Sequence, residues 1–229
     1  WMAMSPEGPK EGMAPLFDLV LKHVPPPTID LEQLLTLRLA PSSRIALRAP
    51  RRITELGPTI HSAWATPTAA GYNVVTWDPR GEHASGGVLK LDSPDYEARD
   101  MSGIITWLSH RPEALLDGWN DPRMGMVGFS YGGGIQLVTA ATDHRVDAIV
   151  PGIAWHTLNE SLYRDNAFRT GYAVLLMLDL VASGARVDPE IYPAISSGAL
   201  TGTLTAEQQA ILSSSGPGDL VKDIKAPTL

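Results

Sequence analysis

Residues 128–132 read GFSYG, which places one hydroxyl, Ser130, between Gly128 and Gly132 in the spacing G-x-S-x-G. This spacing suits a serine nucleophile held on a sharp strand-to-helix turn, where side chains two residues before and two after would collide. Such a turn lifts the hydroxyl above the end of a sheet. It also aims the first backbone N–H groups of the following helix, here that of Tyr131, at the place where an oxyanion would form. The same glycine-rich turn could instead cradle a phosphate or serve only for close packing. A serine needs a base, and only His144 and His156 follow Ser130 in the chain. His144 falls at the end of the nucleophile helix, where a histidine mostly caps carbonyls. His156 lies a few residues past the next strand, on the same sheet edge as the elbow; it is the candidate base, or a polar residue lining the pocket. Asp147, Glu160 and Asp179 are the acids that could orient it. Asp78 and Arg80, in DPRG, read as a charged pair bracing a loop beside the site.

The elements that must position these residues follow from periodicity and turn residues. YNVVTW (72–77) is a β-branched and aromatic run ended by the glycine-rich loop DPRGEHASGG, and predicts a buried strand. DSPDYEARDMSGIITWLSHR predicts a helix with Ser93 as cap, Pro94 in its first turn and Met101, Ile104, Ile105 and Leu108 on one face. His110 and Arg111 fall in its last turn, and Pro112 stops it. MGMVGF (124–129) is the next strand, a helix follows from about Tyr131 to Thr142, and VDAIVPGIAW (146–155) holds a third strand. Strand and helix alternating at these lengths predict a parallel sheet covered by helices. The rest is mostly helical, with Thr205 and Gln208 in capping-box spacing, and the closing IKAPTL begins another strand. Upstream, LFDLVLKHV (16–24) keeps helical spacing until PPP at 25–27 ends it; residues 29–40 fit a helix or a strand, and 41–67 show no clear period.

Composition narrows the classes. With 44% hydrophobic and 19% charged residues in 229, the chain is globular rather than a disordered tail. The net charge of −7 argues against nucleic acid as partner, since the tightest basic cluster is Arg48, Arg51 and Arg52. Having no cysteine excludes disulfides, thiolate metal sites and a cysteine nucleophile. No HExxH-type spacing occurs among the histidines, so neither metal nor cofactor is expected. No apolar run approaches a membrane span, and a soluble cytoplasmic protein is the expectation. A start at Trp1 hints at trimming or a fragment.

GYNVVTWDPRG, SGG at 85–87, DSPDYEARD, VGFSYGGGIQ, DHRVDAIVP and DIKAPTL together resemble the α/β-hydrolases related to X-prolyl dipeptidyl aminopeptidases and cocaine esterase, over residues from about 71 to 229. The resemblance implies acyl hydrolysis by a Ser, Asp, His triad with Ser130 as nucleophile and the Tyr131 N–H as one oxyanion donor. It further implies that residues 157–215 are a helical cap shaping the acyl or leaving-group pocket, with Trp155 and Tyr163 as candidate pocket-lining residues. In this fold the acid follows the strand that APTL begins and the histidine lies near the domain end; neither position is present. The strand and loop that supply a second oxyanion donor are not recognisable in RAPRRITELGPTIHSAWATP. Residues 13–27, MAPLFDLVLKHVPPP, resemble a segment of BipA-type translational GTPases, but no Gly-Lys dipeptide occurs, so no phosphate-cradling loop is implied.

The expected fold is therefore α/β: an α/β-hydrolase-like three-layer sandwich, mainly parallel, with a helical cap and an incomplete C-terminus. Residues 1–70 form an atypical N-terminal segment, 71–156 the core with the nucleophile elbow, 157–215 the cap and 216–229 the start of the returning core strand. The expected function is hydrolysis of carboxylic esters, with amides or X-Pro peptides as further substrates, through an acyl-enzyme on Ser130 and with small molecules as partners. The alternatives are a catalytically incomplete hydrolase fragment and a non-catalytic interaction protein.

Overall fold

The fold is built on one short parallel ladder and the helix that joins its strands. The computed structural model describes residues 72–82 and 85–229. The segments at 13–27 and 29–67 named above lie outside the described residues. The chain divides between Val75 and Thr76 into two units, and the elements below belong to the second. In chain order they are α1 (Glu97–Ser109), β1 (Leu116–Gly118), β2 (Asp121–Pro122), β3 (Gly125–Phe129), α2 (Tyr131–Thr142), β4 (Ala148–Gly152), α3 (Leu158–Leu162), β5 (Tyr163–Arg164), β6 (Ala167–Phe168), α4 (Thr170–Ala182), α5 (Ile191–Thr201), α6 (Ala206–Ser213) and a 3₁₀ turn over Gly218–Asp223.

β3 and β4 pair in parallel, with Gly125 opposite Ala148 and Phe129 opposite Gly152, and α2 makes the crossover between them. The alternation of small and branched residues predicted both strands and the helix, and the helix bounds agree with the expectation. The chain end adds to the far side of β4: Ile149 N–H donates to Pro227 O (3.0 Å) and Leu229 N–H to Ile149 O (3.1 Å). That is the strand start expected from IKAPTL. β1–β2 and β5–β6 are short antiparallel pairs.

YNVVTW corrects the reading. Residues 72–77 form no strand, and Thr76 is exposed. A strand needs a neighbour in register to take its N–H and C=O groups, and no described residue supplies that ladder, whatever the β-propensity of the run. The following helix starts later than expected, at Glu97 rather than at Pro94 with Ser93 as cap. Ser93 instead closes a turn, its carbonyl accepting from Tyr96 N–H and Ala98 N–H. Its own N–H goes to the Glu97 carboxylate (2.9 Å), which ties the residues before α1 into a loop. At the other end His110 Nδ1 donates to Thr106 O at 2.7 Å, a side-chain cap on the last turn.

Two apolar cores result. The first joins Ala98, Met101 and Ile105 of α1 to Met126, Ile135, Val138 and Ile149. Arg145 rivets it at the edge: its guanidinium binds Asp143 twice (2.9 and 2.6 Å) and reaches Thr106 Oγ1 (3.0 Å) and Ser102 O (3.1 Å) on α1. The second core gathers Leu158, Leu162 and Tyr163 with Ile191, Ile195, Leu204 and Leu212 of the helical half, and Leu89 and Leu91 enter it from the loop before α1. Leu89 is bridged in parallel to Val187. The Thr205–Gln208 capping box at the start of α6 forms as its spacing predicts.

Candidate active site

Ser130 ends β3 and begins α2 at once. Its backbone sits at φ 54°, ψ −119°, a conformation that an L-residue keeps only where the surroundings over-determine it. The bonds that do so are short: Ser130 N–H donates to Gly152 O (2.9 Å), and Ser130 O accepts from Gly133 N–H (2.8 Å) and Gly134 N–H (2.9 Å). The sequence permits this because glycines stand where backbone meets backbone. A Cβ on Gly128 would lie 2.7 Å from Gly132 O, and one on Gly133 would lie 2.5 Å from Gly152 O. Gly132 is thus the wall against which Gly128 must be bare.

The Ser130 side chain is half-buried and its Oγ is hydrogen-bonded to no described residue. Tyr131 is the first residue of α2, so its N–H has no intrahelical acceptor and points out of the helix N-terminus beside that hydroxyl. The arrangement can do two things chemically: present an oxygen nucleophile, and stabilise negative charge that develops next to it.

Gln136 completes the elbow, and the sequence reading missed it. Its amide Nε2 donates to Gly132 O (2.5 Å) and Gly128 O (3.2 Å), while its Oε1 accepts from Val150 N–H (2.9 Å). One buried side chain therefore holds the turn to both strands. The signal was a lone amide within an otherwise apolar and small-residue helix; a group of that kind must find partners when buried.

His156, the candidate base, is exposed and its Nδ1 hydrogen-bonds Glu160 Oε2 at 2.9 Å. With Nδ1–H donated to Glu160, Nε2 is the nitrogen left to act as base. Of the three acids considered as its orienting partner, the structure brings Glu160 to it. Asp147 lies at the opposite end of the strands, where Oδ2 accepts from Met124 N–H (2.7 Å), one strand length or about 16 Å from the elbow. Burial pushes the Asp179 carboxyl on α4 upward, and it pairs with no described histidine. No hydrogen bond joins His156 to Ser130 among the described residues. His144 is exposed at the far edge.

Trp155 is half-buried beside the elbow, its ring centroid 6.3 Å from that of Tyr131. Tyr163, expected to line the pocket, is buried in the helical core among the leucines named above. Arg80 pairs with Asp100 on α1 (2.6 and 2.8 Å) instead of Asp78, and its guanidinium lies 5.1 Å from the Tyr96 ring centroid. That brace runs from the loop to the helix, twenty residues along the chain. Among the described residues no group of three or more ligating side chains could hold a metal ion, and no helix is long and apolar enough to cross a membrane.

The family model described as X-Pro dipeptidyl-peptidase (S15 family) matches residues 46–209, and the chain belongs to that family, whose fold is that of the α/β-hydrolases. The match begins at residue 46 rather than at about 71, so it takes in part of the segment read as atypical. Among curated proteins, the uncharacterized 31.7 kDa protein in the traX-finO intergenic region of Escherichia coli is 33% identical over 88 residues, 38% of this chain and 29% of that protein. The uncharacterized protein PA2218 of Pseudomonas aeruginosa is 33% identical over 86 residues, 37% of this chain and 22% of that protein. The matched stretch thus spans less than a third of either relative. The crystal structure of the hypothetical protein PA2218 superposes with a TM-score of 0.45 at 18% identity, covering 76% of this chain and 63% of that chain. The likeness of residues 13–27 to a translational GTPase is not shown by these comparisons. The family is one of hydrolases of the peptidase type.

Proposed function

We propose that this chain carries the nucleophile half of a serine hydrolase, which cleaves carboxylic esters, and amides or X-Pro peptides, through an acyl-enzyme on Ser130. The observation that carries this reading is the backbone of Ser130 at φ 54°, ψ −119°, at the junction of a parallel strand and a glycine-packed helix. Strain of that kind, beside a free helix N-terminus, has no use in a turn that only packs.

In the acylation step Ser130 Oγ attacks the substrate carbonyl carbon while its proton passes to a base, and the carbonyl oxygen takes the negative charge opposite the Tyr131 N–H. Collapse of the adduct expels the alcohol or amine, which receives that proton. Water then repeats the sequence on the acyl-enzyme and releases the acid. His156, with Glu160 on its Nδ1, is the base this chain can offer. In the full architecture we propose, a mainly parallel three-layer core carries residues 157–215 as a cap, Trp155 lines the acyl pocket and residues 216–229 begin the returning core strand, in a cytoplasmic protein with small-molecule substrates.

The test is p-nitrophenyl acetate hydrolysis together with fluorophosphonate labelling, each compared with Ser130→Ala and His156→Ala. Turnover that disappears in both variants supports the complete reading. Labelling that requires Ser130, without turnover, supports an incomplete site; the lack of a Ser130–His156 bond among the described residues favours that second reading. No difference between the wild type and Ser130→Ala in either assay overturns the hydrolase reading.

A further inference from the structure

The loop before α1 holds two consecutive non-glycine residues in left-handed backbone, Leu91 at φ 60° and Asp92 at φ 62°. L-residues adopt this conformation at a cost and keep it only when held there. The holder is Glu97. Its buried carboxylate takes Lys90 N–H (2.6 Å) and Ser93 N–H (2.9 Å), the amides on either side of the strained pair. Burial pushes the Glu97 carboxyl upward, while those two N–H groups and Arg80 pull it back.

The loop so held drives the Asp92 side chain under the first turn of α2. Asp92 is 0% exposed, and a Cβ on Gly134 would collide with its Oδ2. The carboxyl therefore fills the space that a side chain at position 134 would take, and the Trp155 ring borders the same space at 3.4 Å. The Asp92 carbonyl is fixed as well, accepting from Gly216 N–H at 2.9 Å. Among the described residues neither Asp92 oxygen has a hydrogen-bond partner, and the same holds for the buried Trp155 Nε1–H.

Glu97 faces Asp92 from α1, Tyr131 faces it from α2, and Glu82 acts on Tyr131. Among the described cations, Lys90 is paired with Asp188 and Arg80 with Asp100. Burial first, and then Glu97, push the Asp92 carboxyl well above the ordinary carboxylate range.

We propose that Asp92 is a positioning residue of the nucleophile elbow: a buried carboxyl packed against Gly134 that fixes the turn carrying the Tyr131 N–H. This inference rests on Ser130 being the nucleophile. Ionised, Asp92 would place a buried negative charge beneath that turn, opposing both its packing and the oxyanion that the Tyr131 N–H receives.

The experiment follows the rate of fluorophosphonate labelling against pH for the wild type, Asp92→Asn, Asp92→Ala and Ser130→Ala, with folding checked by circular dichroism at each pH. Wild-type labelling is expected to decline on the alkaline side. Asp92→Asn, neutral and of the same shape, keeps the neutral-pH rate and loses the alkaline decline. Asp92→Ala, folded but with a gap under the turn, labels roughly tenfold more slowly, a share of the 10²–10³-fold loss that follows removal of a whole oxyanion donor. An Asp92→Asn profile that tracks the wild type, or Asp92→Ala labelling at the wild-type rate, overturns the inference while leaving Ser130 in its role. If Asp92→Ala does not fold, the Asp92→Asn profile decides alone. A wild type that is unlabelled at every pH, like Ser130→Ala, overturns the nucleophile reading and this inference with it.

Discussion

The elbow and the helical half of this protein are stabilised in different ways. Around Ser130, backbone meets backbone: glycines at 128 and 133 stand within 3 Å, measured from a would-be Cβ, of a neighbouring carbonyl oxygen. In the helical half, side chains meet side chains, and α4 leaves Tyr172, Leu175, Leu178 and Val181 exposed. Gly171 there has room, with nothing within 4 Å of a Cβ, while a Cβ on Gly198 of α5 would meet the Phe168 ring, a side chain rather than backbone. The same residue type is thus a steric requirement at Gly133 and an entropic cost at Gly171. Tolerance to substitution should divide the molecule along that line.

The sharpest way to separate chemistry from packing is Ser130→Ala, expected to lower the rate of fluorophosphonate labelling by roughly 10³-fold or more while the melting temperature stays close to that of the wild type. A large loss of stability in that variant would mean that the hydroxyl serves the fold. Next in size is Gly133→Ala, where the added methyl meets Gly152 O at 2.5 Å; thermal unfolding should show a loss of about 3 kcal/mol. Near-neutral behaviour would break the contrast between the two regions.

The pH dependence of stability tests the elbow from beneath. The Asp92 carboxyl is raised by burial and by Glu97, so its contribution is fully present below the ordinary carboxylate range and is lost as pH rises through its folded-state value. Thermal melts should therefore weaken toward alkaline pH, and Asp92→Asn should flatten that limb. In the helical half, Thr205→Ala removes one arm of the α6 capping box and should cost about 1 kcal/mol by denaturant titration. Smallest of all, Gly171→Ala in the first turn of α4 should raise stability by about 0.5 kcal/mol, the opposite sign to the same change at Gly133.

How far this was legible in the sequence depended on the range of the interactions involved. The β3–Ser130–α2 unit could be read to within a residue because its determinants are local: branched residues in a strand, glycines at fixed offsets and a helix that begins at the serine. The Thr205–Gln208 cap was local as well. YNVVTW failed as a strand for the opposite reason, since its ladder depends on distant chain. Arg80 was matched in the sequence to Asp78, two residues away, whereas its planar fork meets Asp100 across a turn and a helix end. The burial of Asp92 had no signal at all: an aspartate in a loop reads as a solvated turn residue, and only the Glu97 clamp turns it inward.

The clasp formed by Gln136 has a dynamic consequence. Val150 N–H is bonded to the Gln136 side chain of α2, so its hydrogen-exchange protection is tied in part to the helix. If the first turns of α2 open to admit substrate, Val150 should lose protection in step with Gly133 and Gly134, while Ile149, whose N–H is bonded to Pro227, stays protected. A single amide in the sheet would then report the breathing of the turn at Ser130.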